Sequence, residues 1–172
     1  QPTVELPGTR VLPAILRDEA QFERQFSLSV RPGGLAVLTV GSFSQPDPAR
    51  FLAFTRAAFA RIRQEGVHTL VIDISRNGGG DDGMWLEGLM PYLANKPYRT
   101  GSTDVGLSRR ATPVQVVDGE IATWREPQPK HPLHFEGKVF VHIGPGTYSS
   151  AILFANVMRD FGFATLVGEG GF

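Results

Sequence analysis

The chain has 172 residues, 41% of them apolar, with 17 Lys plus Arg against 17 Asp plus Glu for zero formal net charge. That size and apolar content suit one domain around a single core, and the balanced charge leaves no sustained positive field to draw in a nucleic-acid backbone or an anionic membrane. The absence of cysteine excludes disulfides, thiolate metal sites and cysteine nucleophiles.

The start, QPTVELPGTR, lacks the basic and apolar regions of a signal peptide, and no apolar run approaches a membrane span, so the sequence reads as a soluble domain. From Gln25, the stretch QFSLSVRPGGLAVLTVGSF alternates Leu28 and Val30 with Ser27, Ser29 and Arg31, turns at Pro32-Gly33-Gly34, and runs apolar from Leu35 to Val40. This predicts a hairpin feeding a buried strand. DPARFLAFTRAAFARIRQEG carries Asp47 and Pro48 at a helix start, Phe51, Phe54, Ala58, Phe59 and Ile62 at helical spacing, and Gly66 as a stop.

VHTLVIDIS reads as a central strand that empties into RNGGGDDG before MWLEGLMPYLA resumes a helical pattern. From Lys96 to Glu136 the periodicity dissolves, apart from TPVQVVDGEIATWRE, where Asp118-Gly119 signals a tight hairpin turn. Residues 96–136 are therefore expected to form an excursion or flap within a single domain spanning 1–172, with Trp124 on it as a wall, a lid or a pin to the core. KVFVHIG then predicts a strand, Ser150 to Phe161 a helix closed by Gly162, and ATLVGE a last strand. The alternation makes the fold α/β with a largely parallel central sheet.

In such sheets ligands gather at the carboxyl ends of the strands, which singles out two loops, SRNGGGDD (Ser75 to Asp82) and GPGTYSS (Gly144 to Ser150). A serine at a helix N-terminus has its alkoxide favoured by the helix dipole, and unpaired first-turn amides can hold an oxyanion. Ser149 and Ser150 are equally good helix caps, and this local pattern leaves both readings open. Asp81 and Asp82 read as a solvated pair or a cap, and neither they nor His131 and His134 of HPLH find the further ligands that a metal site needs. No cofactor is indicated: NGGGDD lacks the ending of a phosphate loop and the spacing of a dinucleotide fingerprint. His142, seven residues before Ser149, could face the site or be a satisfied core histidine. Asp160 lies eleven residues past Ser149, roughly 16 Å along a helix, beyond hydrogen-bond reach.

Together the two loops resemble those of the C-terminal processing, or tail-specific, serine peptidases. DISRNGGG (Asp73 to Gly80) matches the family's Asp-Leu-Arg-x-Asn-x-Gly-Gly at Asp73, Asn77, Gly79 and Gly80, with Ser75 where Arg is usual; TYSSAIL, DFGFA and VGE follow in the family's order and spacing. The resemblance covers roughly Leu35 to Glu169. It implies a ClpP/crotonase-like core of ββα units, the nucleophile at Ser149 with Thr147 and Asp160 setting the register, and an oxyanion hole from the backbone amides of Ser150 and of Gly79 and Gly80.

The reading that follows is a serine-type endopeptidase without a PDZ domain, cleaving protein or peptide substrates through an acyl-enzyme on Ser149. Two positions depart from the family pattern. Ile152 stands where a Glu is usual, and the family's general-base Lys falls about twenty-five residues after the serine, past Phe172, so the chain is expected to be truncated at its C-terminus. Lysine suits that role because a desolvated amine can be neutral near pH 7. The resemblance alone suggests an extracytoplasmic location and says nothing of oligomeric state. The alternative is a non-catalytic ligand- or peptide-binding module on the same fold.

Overall fold

The computed structural model describes residues 14–101, 103–108, 115–120, 124–128 and 130–169. Along the chain these form α1 (Ala14–Gln25), β1 (Phe26–Arg31), β2 (Leu35–Val40), α2 (Pro48–Gln64), β3 (Thr69–Asp73), α3 (Asp82–Gly88), α4 (Met90–Leu93), β4 (Thr103–Ser108), β5 (Gln115–Glu120), β6 (Lys138–Ile143), α5 (Ser150–Asp160) and β7 (Thr165–Gly168). Five strands make one sheet in the order β1-β2-β3-β6-β7, with β1 antiparallel to β2 and β2, β3, β6 and β7 mutually parallel. The fold is α/β, as the alternating elements predict.

Period-two alternation decides which side of the sheet carries the core. Ala36, Leu38 and Val40 of β2, Leu70 and Ile72 of β3, and Val141 of β6 are buried together with Phe51, Ala58, Phe59 and Ile62 of α2 and Ala151, Phe154, Ala155, Val157 and Met158 of α5. The opposite face carries Val37, Val71, Asp73, Phe140 and His142, all half-buried. Asp47 caps α2, its carboxylate accepting from the Ala49 and Arg50 amides at 3.1 and 3.3 Å, with Pro48 in the first turn. Gly162, at φ 66°, ends α5 by donating to Arg159 O at 2.9 Å while the Phe163 amide reaches back to Met158 O.

Three local features differ from expectation. α1 precedes the first hairpin, and Phe22 on it packs against Phe26 and Phe54. The helical run after the glycine loop is split at Leu89, because Pro91 has no amide to continue the ladder. The excursion does contain an antiparallel pair, but Asp118 and Gly119 lie inside β5, opposite Val105 and Asp104, so that dipeptide is not its turn. Cross-strand pairing over six positions outweighed the turn preference of one dipeptide. The base of the excursion is clasped by reciprocal backbone bonds between Tyr98 and Arg125. Beside them Trp124 stands edge-on to Phe161, with Arg99 5.1 Å from its ring centre.

Candidate active site

Three chain segments leave the carboxyl ends of adjacent parallel strands and are stitched into one surface. After β2, the Phe43 amide donates to Gly79 O at 2.9 Å and Phe43 O accepts from the Asp81 amide at 2.8 Å. Gly80 must be glycine there, since a Cβ on it would stand 2.2 Å from the Phe43 carbonyl, and its φ is 139°. After β6, the Gly146 amide donates to Ser75 O at 3.1 Å, Tyr148 N–H to Asn77 O at 3.0 Å, and Thr147 Oγ1 to Ile74 O at 2.9 Å. Thr147 Oγ1 also accepts from Gly144 N–H at 3.0 Å.

Asn77 is the junction of these segments, and sequence reasoning gave it no role beyond a motif match. It is fully buried, yet its amide donates to Ile74 O, its carbonyl accepts from Tyr148, its Nδ2 donates to Val40 O at 3.0 Å, and its Oδ1 accepts from the Gly79 amide at 2.9 Å. All its polar groups are thereby occupied, as burial requires.

This stitching brings Ser149 against the glycine loop. A Cβ on Gly79 would lie 2.7 Å from Ser149 Cβ and 3.0 Å from the Ser150 amide nitrogen. Ser149 itself takes φ 53° and ψ −126°, the sole positive φ of a non-glycine among the described residues. That backbone conformation is normally left to glycine, and residues held in it concentrate at functional sites. Ser149 is exposed, and among the described residues its hydroxyl makes no hydrogen bond, to the backbone as a cap or otherwise.

The neighbouring hydroxyl is used quite differently. Ser150 is 2% exposed; its Oγ donates to Asp82 Oδ1 at 2.5 Å and accepts from Trp85 Nε1 at 3.0 Å, and Trp85 is also 3.3 Å from the same carboxylate oxygen. Ser150 therefore ties the head of α5 to the first turn of α3. Its backbone amide, at the first position of α5, has no acceptor among the described residues, and neither has that of Gly80. The Gly79 amide is engaged by Asn77.

The remaining candidates are occupied elsewhere. Asp81 caps α3 through the Gly83 amide at 2.8 Å. His142 Nδ1 lies 3.0 Å from Asp73 Oδ1 across β6 and β3. Burial pushes the Asp73 carboxyl up, but hydrogen bonds from Ser75 and the adjoining His142 more than offset this and hold it below its ordinary 3.8. His131 Nδ1 accepts from the Leu133 amide, and Asp160 pairs with Arg159 at the far end of α5. Among the described residues no group of three or more His, Cys, Asp or Glu could hold a metal, and no helix is long and apolar enough to cross a membrane.

A strained, exposed serine hydroxyl at a helix N-terminus, beside unoccupied amides, can attack a carbonyl and have the resulting oxyanion held. Comparison with known proteins gives a match to the family model described as Peptidase family S41, over residues 34–172. No match was found among curated protein sequences. Among solved structures, the chain is similar to the photosystem II D1 C-terminal processing protease, with TM-score 0.59, 19% identity, and 82% of this chain and 33% of that one covered. It is also similar to mature CPAF complexed with lactacystin (TM-score 0.58, 14% identity, 86% and 41% covered). A lipoprotein from Streptococcus agalactiae gives TM-score 0.51 at 16% identity, with 89% and 51% covered. The chain thus spans a third to a half of the length of these structures, and at such identities they speak to the fold.

Proposed function

Since the chain belongs to peptidase family S41, we propose that it carries the nucleophile and oxyanion-binding part of a serine-type endopeptidase of the tail-specific kind, acting on protein or peptide substrates. Ser149 Oγ attacks the scissile carbonyl, its proton passing to a general base, and the tetrahedral intermediate collapses to an acyl-enzyme with expulsion of the amine; water then releases the acyl group. The Ser150 and Gly80 amides hold the oxyanion, while Gly79, its own amide engaged by Asn77, lets the glycine loop approach Ser149.

The observation that carries this reading is the backbone of Ser149: φ 53° on a non-glycine, holding an exposed, unbonded hydroxyl at the head of α5. An ordinary capping serine has extended backbone and bonds its hydroxyl to a first-turn amide. For the base we infer a lysine from sequence following residue 172, desolvated enough to be neutral. His142, bound to Asp73 and not hydrogen-bonded to Ser149, is left out of the mechanism. We take the excursion, residues 96–136, as a wall of the substrate cleft, its base held by the reciprocal backbone bonds of Tyr98 and Arg125.

The test is labelling with a fluorophosphonate probe, on this chain and on a longer form extending past Phe172, with the modified peptide identified by mass spectrometry. Label on Ser149 that disappears in Ser149→Ala supports the assignment. Label that persists in Ser149→Ala, or no label in the longer form, refutes it and leaves the binding-module alternative.

A further inference from the structure

Five large apolar side chains are exposed among the described residues, and three of them lie within four positions of the proposed nucleophile: Tyr148 at 70%, Ile152 at 41% and Leu153 at 39%. Isolated exposed apolar residues are ordinary, but a cluster at one place marks a contact surface.

The core does not explain them. α5 already buries Ala151, Phe154, Ala155, Val157 and Met158 against the sheet, and further along its outer side the exposed residues are Arg159 and Asp160. Only its first turn presents aliphatic side chains to water, contrary to the usual amphipathic pattern. The Ile152 and Leu153 amides both donate to Ser149 O, at 2.8 and 3.3 Å, so both residues lie on the turn that Ser149 begins. Side chains on a helix lean toward its N-terminus, which tilts these two toward the level of Ser149. From Val139 to Met158 the sequence contains no Asp, Glu, Lys or Arg, so this turn and the loop before it supply no charged partner for a charged side chain.

We propose that Tyr148, Ile152 and Leu153 form a specificity surface that takes an aliphatic or aromatic side chain of a peptide whose scissile carbonyl lies at Ser149. This rests on the reading of Ser149 as the attacking residue, which places the peptide; continuity of the patch with Ser149 and its lack of charge select an apolar occupant. Burial against an open rim discriminates less than an enclosed pocket, where one methylene is worth roughly 10–200-fold, so about fivefold is expected here.

The experiment is a 15N–1H NMR titration of the Ser149→Ala chain with capped pentapeptides, alanine throughout except for a central Leu or its isostere Asn. The expected result is that the Leu peptide binds about fivefold more tightly, with shifts centred on Tyr148, Ile152 and Leu153. Converting Ile152→Ser and Leu153→Ser together should erase the preference while leaving the rest of the spectrum in place. Equal binding of the two peptides, shifts centred elsewhere, or a preference surviving the double substitution overturns the proposal. So does a mass that rises with concentration in light scattering and falls back in the double variant, which would make the patch an interface between copies. A Leu preference at this surface in a protein that no fluorophosphonate labels would retain the surface and reject the chemistry; labelling without the preference would do the reverse.

Discussion

Replacing Ser149 with glycine and, in parallel, with alanine separates the strain of its backbone from the loss of its hydroxyl. Both substitutions remove an Oγ that makes no hydrogen bond among the described residues, so that loss cancels between them. Alanine keeps the Cβ that makes φ 53°, ψ −126° unfavourable, whereas glycine removes it. Holding a non-glycine in such a region costs about 1–3 kcal/mol, and glycine gives back about 0.5–1 kcal/mol through the greater freedom of its unfolded chain. Ser149→Gly should therefore exceed Ser149→Ala in stability by about 1 kcal/mol, or about 2–4 °C in Tm for a domain of this size. Paired thermal and urea denaturation followed by circular dichroism reads the difference. If glycine proves less stable than alanine by about 0.5–1 kcal/mol, as at an unstrained position, the backbone at Ser149 is not strained and the main support for its special role is gone.

Gly79→Ala would place a Cβ 2.7 Å from Ser149 Cβ and 2.8 Å from Tyr148 O at φ 98°, so we expect a loss of about 2–4 kcal/mol in urea denaturation together with loss of fluorophosphonate labelling; near-wild-type stability would contradict the close approach of the two loops. Asp82→Ala strips the acceptor from buried Ser150 and from Trp85. It should cost about 1–3 kcal/mol and shift Trp85 emission, measured with exposed Trp124 replaced by Phe; an unchanged midpoint and spectrum would show that the network is idle. The folded-state pKa of Asp73 is depressed below 3.8, so its contribution to stability is present above that pH and is lost as pH falls through the lower folded value. The advantage of the wild type over Asp73→Asn in urea midpoint should accordingly shrink on acidification below 3.8, and an advantage independent of pH there would remove the ionised carboxylate from the explanation.

Much of the architecture was legible because its determinants act over a few residues. Alternation marked β1, short apolar runs marked β2, β3 and β6, Asp47 and Pro48 marked the start of α2, and Gly162 the end of α5. Where distant segments compete with local preference, the sequence was a poorer guide. Asp118-Gly119 was absorbed into β5 by its pairing with β4, and His142 found Asp73, 69 positions away, across two parallel strands.

The two serines divide the same way. Their local sequence placed both hydroxyls at the head of a helix, because chain order, turn glycines and helical periodicity are local properties. Which serine is exposed was decided in three dimensions, by Asp82 taking the Ser150 hydroxyl from 68 positions away and by Asn77 and Gly79 bringing the glycine loop against Ser149. The physical reason is that a buried hydroxyl must find a partner and a close backbone approach must exclude a Cβ, and both conditions are met only when the two loops pack together.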